Sequence, residues 1–215
     1  ASDVYKRQIL YKVSLQSVSG NMETEVKALA FDSRKIEAGT AFVAVRGTQV
    51  DGHEFIPMAI EKGAVAIVCE ELPHEMVEGI AYVQVQDSSK ALGFMASNFY
   101  GNPSEKLKLV GVTGTNGKTT CVTLLHQLFR ALGYNTGLLS TVVNKINDDE
   151  LPATHTTPDA ITLNATLAQM VSKGCTHCFM ESSSHAIVQN RIAGLKYEGA
   201  VFTNLSHAVS YTHLR

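Results

Sequence analysis

The run Gly111-Val112-Thr113-Gly114-Thr115-Asn116-Gly117-Lys118-Thr119-Thr120 constrains this chain more than any other stretch. Ahead of it, Leu107-Lys108-Leu109-Val110-Gly111-Val112 reads as a short buried strand. After it, Val122, Leu125, Leu128, Phe129 and Leu132 recur at helical spacing until Gly133 supplies a stop. A strand, a glycine turn and a helix opening on Gly-Lys-Thr allow backbone N–H groups and the positive end of a helix to hold a polyphosphate. Gly114, Thr115, Asn116, Gly117, Lys118, Thr119 and Thr120 are therefore expected to bind ATP or a close relative. Lys118 would neutralise the outer phosphates, and the Thr119 hydroxyl would reach the accompanying Mg2+.

The strict Gly-x-x-x-x-Gly-Lys pattern would place glycine at position 112, where valine stands; Gly114 lies inside the loop instead. A bare Gly-Lys-Thr could be a chance helix start. Three glycines in phase between a strand and a helix argue against chance, and the variant spacing argues against ordinary GTPases and kinases.

The 215 residues allow one or two domains with a real core. A hydrophobic content of 45% with 18% charged residues suits a soluble globular protein, and the net charge of −2 gives no sign of nucleic-acid or membrane-surface partners. No apolar run approaches the roughly 20 residues of a bilayer span, nor is there a basic-then-apolar leader, so cytoplasm is the expected compartment. The four cysteines, 69, 121, 175 and 178, fit reducing surroundings. Cys175-Thr176-His177-Cys178 has no second ligand pair at zinc spacing. Cys178, in the run Cys178-Phe179-Met180, is expected to be a buried strand residue.

Two segments are expected, joined near Gly101-Asn102-Pro103-Ser104: an α/β domain over 9–103 and the first part of a mostly parallel-sheet domain over 104–207. In the first, 41–45, 64–69 and 80–85 read as strands, 54–62 as a helix, and Asp87 caps a second helix running to about Tyr100. In the second, 138–141 reads as a strand and 141–151 as a hairpin turning at 147–149. Thr156-Thr157-Pro158-Asp159 opens a helix, and strands end at Glu181 and Asn204. Parallel strands joined by helices bind ligands at their carboxyl ends, which would gather the phosphate loop, Glu181 and Asn204 at one edge. Residues 1–8 and 208–215 are expected to be non-native flanks.

These features resemble the Mur ligases, the ATP-dependent amide-forming enzymes of peptidoglycan synthesis. The blocks Phe31-Asp32-Ser33-Arg34, Gly39 to Gly47 and Asp51-Gly52-His53-Glu54-Phe55-Ile56 are similar to that family's N-terminal uridine-nucleotide domain. The loop Thr113 to Thr120 is common to the family and to folylpolyglutamate synthases. Met180-Glu181-Ser182-Ser183-Ser184-His185-Ala186, Gln189, Arg191 and Val201 to Ser206 are most like the branch that adds the third, diamino acid residue, the MurE ligases. The resemblance spans about residues 9 to 207.

It implies that Phe31 and Ser33, with Thr48, Gln49 and Val50 nearby, contact a UDP moiety. It likewise implies that Thr156, Thr157, Ser183, Gln189 and Arg191 hold the sugar–dipeptide of UDP-MurNAc-L-Ala-D-Glu. Lys118 and Glu181 would be catalytic, with Thr119 and Glu181 on Mg2+. In the implied reaction the D-glutamate carboxylate attacks the γ-phosphate of ATP. The amine of a diamino acid, meso-diaminopimelate or lysine, then displaces phosphate from the acyl phosphate. Singly these residues have bland readings: Asp51-Gly52 an ordinary turn, Ser183 a helix cap, His185 a structural histidine, Arg191 a solvated charge.

His155 stands where some relatives carry asparagine, and Ala208-Val209 replace the acidic–histidine pair that follows the Thr-Asn-Leu-Ser run in the family. Little ligase activity is expected of the chain alone. The alternatives are another Mur-type ligase, such as MurF or a folylpolyglutamate synthase, and a nucleotide-sugar-binding piece without catalysis.

Overall fold

The computed structural model describes residues 6–23, 25–47, 50–151 and 158–206. Thr48, Gln49, His155, Thr156, Thr157 and the outermost ends therefore lie outside the described residues. The chain divides into two units: 1–102 with 159–165 and 189–195, and 103–158 with 166–188 and 196–215.

In the first unit, β1 (Leu15–Ser19), β2 (Ala28–Ala30), β3 (Thr40–Val43), β4 (Ala64–Cys69) and β5 (Ala81–Val85) form a sheet of order β1-β5-β4-β3-β2. β2 to β5 run parallel, and β1 closes the sheet antiparallel to β5. Because successive side chains alternate between faces, the central strands feed two cores. Ala41, Val43, Ala66, Val68, Ala81, Val83 and Val85 pack with Ile9 of α1 (Lys6–Ile9) and with Leu92, Met95 and Ala96 of α3 (Ser88–Phe99). Phe42, Ile67, Cys69 and Tyr82 point the other way, onto Ile56 and Ala59 of α2 (Ile56–Glu61). Strands buried on both faces read as continuous apolar runs, which is why β3 and β4 stand out in the sequence.

The helix expected over 54–62 is instead a 3-10 turn, Gly52–Phe55, followed by α2. Asp51 caps the earlier turn by accepting from the His53 N–H at 2.9 Å, and Phe55 breaks the helical geometry with φ −96° and ψ 1°. At α3 the expected cap is present: Asp87 Oδ1 accepts from the Lys90 N–H at 2.8 Å.

The second unit holds β6 (Lys108–Thr113), α4 (Lys118–Ala131), β7 (Thr136–Leu139), β8 (Asn144–Ile146), β9 (Asp149–Leu151), β10 (His177–Glu181), α6 (Ser184–Val188) and β11 (Gly199–Phe202), with residues 166–172 of α5 (Ala160–Ser172). Its sheet order is β11-β6-β10-β7-β8-β9. β11, β6, β10 and β7 are parallel; β8 and β9 add the expected hairpin, turned through Asn147 at φ 56°. Cys178 is fully buried in β10, as expected. α5 starts at Ala160, later than the Thr156-to-Asp159 start read from sequence. Asp159 lies just outside it and caps it, Oδ1 accepting from the Thr162 N–H at 2.9 Å.

The apolar stripe of α4 needs correction. Val122 is buried, and Leu125 and Phe129 are half-buried against Val112, Leu138 and Phe179. Leu128 and Leu132 are 52% and 63% exposed, and His126 occupies the buried position instead. The stripe i, i+3, i+4, i+7 from Val122 passes through 125, 126 and 129, so 128 and 132 fall outside it. Among the described residues no helix is long and apolar enough to cross a membrane.

Candidate functional site

The turn between β6 and α4 begins where the strand's hydrogen bonding ends. Gly114 has φ +135°, and a Cβ there would overlap Thr203 Oγ1, so only glycine fits. Gly117, at φ +83°, is the N-cap of α4, and no side chain caps that helix. The N–H groups of Lys118, Thr119 and Thr120 consequently have no acceptor within α4, where the first intrahelical bond is Cys121 N–H to Gly117 O at 2.9 Å. An uncapped helix start of this kind suits an anion.

The rest of the loop is tied to the segment that follows β11. The Thr115 N–H donates to the Asn204 carbonyl at 3.0 Å, and the Asn116 N–H to Asn204 Oδ1 at 3.1 Å. Asn204 Nδ2 donates back to the Asn116 carbonyl at 3.1 Å, and Thr203 Oγ1 donates to the same oxygen at 2.6 Å. Ser206 N–H reaches Thr115 Oγ1 at 3.0 Å. The Lys118 ammonium is folded onto its own loop, donating to Gly114 O at 2.7 Å and Thr115 O at 3.1 Å.

Glu181 ends β10 and pairs in register with Val112, one residue short of the end of β6. The sheet thus brings Glu181, the loop and Asn204 to one edge. Glu181 is 5% exposed and accepts from the Thr141 N–H at 3.2 Å. Ser183 lies two residues on, its Oγ accepting from the Ala186 N–H at 3.2 Å in the manner of a helix cap. Among the described residues no group of three or more His, Cys, Asp or Glu side chains converges as a metal cage.

Phe31, Ser33, Val50, Gln189 and Arg191 belong to the first unit. Phe31 packs against the core, and the buried Ser33 opens a 3-10 turn capped by Asp32. Asp32 grips the Arg34 guanidinium, which holds its carboxyl down at about 2. Gln189 accepts at its carbonyl from Ser89 Oγ at 3.0 Å, and Asn190 Nδ2 donates to Asp87 Oδ2 at 3.2 Å, which seats that segment on the start of α3.

A polar network near Val50 has no signature in the sequence. Arg46 pairs with Glu71, and lies 3.4 Å from Glu70 and 3.6 Å from Asp51. His53 Nε2 accepts from the Glu70 N–H at 2.9 Å, so Nδ1 carries the proton toward Asp51 Oδ1, 2.6 Å away. Gly47 N–H also donates to Val50 O at 3.0 Å, so these bonds tie Arg46 and Gly47 to Val50 and Asp51.

Residues 25–100 match the family model described as Mur ligase family, catalytic domain, and residues 112–210 match that of the Mur ligase middle domain. The chain belongs to the Mur ligase family. This Mur ligase chain is 63% identical over 202 residues to the UDP-N-acetylmuramoyl-L-alanyl-D-glutamate–2,6-diaminopimelate ligase of Cytophaga hutchinsonii, covering 94% of its own length and 42% of the relative. It is 54% identical to the ligase of the same name from Bacteroides fragilis, covering 93% and 41% respectively. A solved structure titled as that ligase superposes with a TM-score of 0.79 at 26% identity, covering 99% of this chain and 42% of the other. The chain spans about two fifths of the length of the relatives it matches.

Proposed function

We propose that this chain is the nucleotide-handling part of an ATP-dependent ligase that joins a diamino acid to UDP-MurNAc-L-Ala-D-Glu. The observation that carries the reading is the uncapped start of α4 behind Lys118, with the Glu181 carboxylate at the end of the parallel strand beside β6. The N–H groups of Gly117 to Thr120, at the end of the loop and in the first helical turn, face the phosphates of ATP, and Lys118 leaves its carbonyl partners to neutralise the outer ones. Thr119 and Glu181 hold Mg2+. One hydroxyl and one carboxylate suit a cation that keeps several waters and takes its remaining oxygens from phosphate. When bound, the ion offsets charge on the transferring phosphoryl group.

Phe31, Ser33, Thr48, Gln49 and Val50 receive the uridine nucleotide, while Thr156, Thr157, Ser183, Gln189 and Arg191 orient the sugar–dipeptide. Arg191 suits a carboxylate or phosphate through paired N–H donors. The substrate's own D-glutamate carboxylate is the nucleophile toward ATP, so the protein contributes position and charge rather than a covalent intermediate. The chain is read as a uridine-nucleotide domain over 9–103 and the first part of an ATP-binding domain over 104–207, and the setting is the cytoplasm.

Calorimetric titration of the chain with Mg2+–ATP and, separately, with UDP-MurNAc-L-Ala-D-Glu tests the reading. Both are expected to bind, and Lys118→Ala is expected to abolish only the first. No affinity for Mg2+–ATP would overturn it.

A further inference from the structure

The carboxamide of Asn204 faces the main chain of Asn116 in a reciprocal pair: Oδ1 accepts from the N–H at 3.1 Å, and Nδ2 donates to the carbonyl at 3.1 Å. An asparagine side chain supplies one acceptor and one donor group side by side, which a carboxylate or an aliphatic side chain cannot do. The Asn204 carbonyl also takes the Thr115 N–H at 3.0 Å. Two consecutive loop amides are therefore spent on one residue, which lies 88 positions further along the chain. Thr203 completes the grip by donating to Asn116 O at 2.6 Å from the hydroxyl that a Cβ on Gly114 would strike.

We propose that Asn204 is the positioning residue of the phosphate loop, clamping Thr115 and Asn116 so that the phosphate is taken by the N–H groups of Gly117 to Thr120 and by Lys118. This rests on the nucleotide reading given above. The clamp divides the loop by function. Its first half is anchored to the segment that follows β11, and its second half, continuous with the uncapped start of α4, is the anion cradle. Held this way the cradle is formed before the ligand arrives, and the ordering cost of binding falls.

The test is equilibrium binding of Mg2+–ATP to the 215-residue chain and to Asn204→Asp, Asn204→Ala and Lys118→Ala, alongside amide NMR of the unaltered protein. Asn204→Asp keeps the size and the acceptor but turns an oxygen toward the Asn116 carbonyl. It is expected to weaken Mg2+–ATP binding about tenfold, the loss of one to two hydrogen bonds. Affinity for UDP-MurNAc-L-Ala-D-Glu should stay unchanged, and the unfolding midpoint should fall by no more than the lost hydrogen bonds account for, about 2–6 °C. On titration the amides of Gly117 to Thr120 should shift, while those of Thr115 and Asn116 stay protected from exchange.

If both Asn204 variants bind Mg2+–ATP like the original while Lys118→Ala loses it, the site stands and the clamp is refuted. A fall in UDP-sugar affinity alongside nucleotide affinity, with a midpoint drop well beyond about 6 °C, would make Asn204 merely structural, and also refutes it. If the unaltered chain does not bind, or Lys118→Ala changes nothing, the nucleotide reading itself fails and takes the clamp with it.

Discussion

The ammonium of Lys118 donates to the carbonyl oxygen of Gly114 at 2.7 Å, four residues back in the same loop. A charge satisfied by two half-exposed carbonyls contributes little to folding but is available for transfer to a phosphate. Lys118→Met is expected to change unfolding free energy by less than about 0.5 kcal/mol, as for a surface site. Charge-assisted bonds are worth about 1.5–3 kcal/mol each, so losing one or two of them should weaken Mg2+–ATP binding about a hundredfold. Urea unfolding and calorimetry on the same preparation check the two halves of this expectation; a large fall in stability would mean the lysine serves the fold.

Gly114 makes the complementary case. Its φ of +135° and the overlap of any Cβ with Thr203 Oγ1 penalise every other residue. Gly114→Ala should cost about 1–3 kcal/mol from backbone strain. It should also push Thr203 away from Asn116. Hydrogen exchange at Thr115 and Asn116 is expected to speed up in this variant, and unaltered exchange would contradict the packing described here.

Much of this was legible in the sequence where one physical signal dominates. β4 is a continuous apolar run because it is buried between two parallel neighbours, and α3 announces itself through Asp87 and the spacing of Leu92, Met95 and Ala96. β1 was not legible: all five of its residues are exposed on an antiparallel edge, so no alternation marks it. In α4 the residues Leu128 and Leu132 carry an apolar signal at helical spacing, yet the buried phase from Val122 passes through the polar His126 and leaves both leucines exposed. The phosphate loop declares itself by local glycine spacing. Its partner Asn204 is brought beside it by the pairing of β11 with β6, a long-range register that no local pattern encodes.

His126 and His177 set a pH dependence. Burial is the main cause that lowers the proton affinity of each below the ordinary 6.5, aided at His177 by Lys108. At His126 the nearby main chain of Thr136 and Asn147 works in the opposite direction. With the folded value below the unfolded one, the unfolded chain binds more protons as pH falls past 6.5. Stability contributed by the neutral rings is thus complete above that pH and is lost on descending toward the folded values. Urea unfolding at about pH 7.5 and about pH 5.5 should show the lower stability at the acid point. His126→Gln should shrink that difference, and an undiminished difference would exclude His126 as a source.

Gly93 tests how the segment bearing Gln189 and Arg191 is seated. It lies in the middle of α3, where alanine would ordinarily gain about 1 kcal/mol in helix propensity. A Cβ there would meet the Ala193 carbonyl oxygen at 2.6 Å and the Ala193 Cβ at 2.7 Å, closer than atoms pack. Overpacking of this kind costs about 1–3 kcal/mol, which exceeds the propensity gain. The segment cannot easily retreat, since Ser89 holds Gln189 and Asp87 holds Asn190. Gly93→Ala is therefore expected to bring a net loss of about 1–2 kcal/mol, lowering the unfolding midpoint by about 2–8 °C at about 2–4 °C per kcal/mol for a chain of this size. It should weaken UDP-MurNAc-L-Ala-D-Glu binding while leaving Mg2+–ATP binding intact. A raised midpoint would show that 189–195 moves off α3 at no cost, and that the close approach of Gly93 to Ala193 does not hold Gln189 and Arg191 in place.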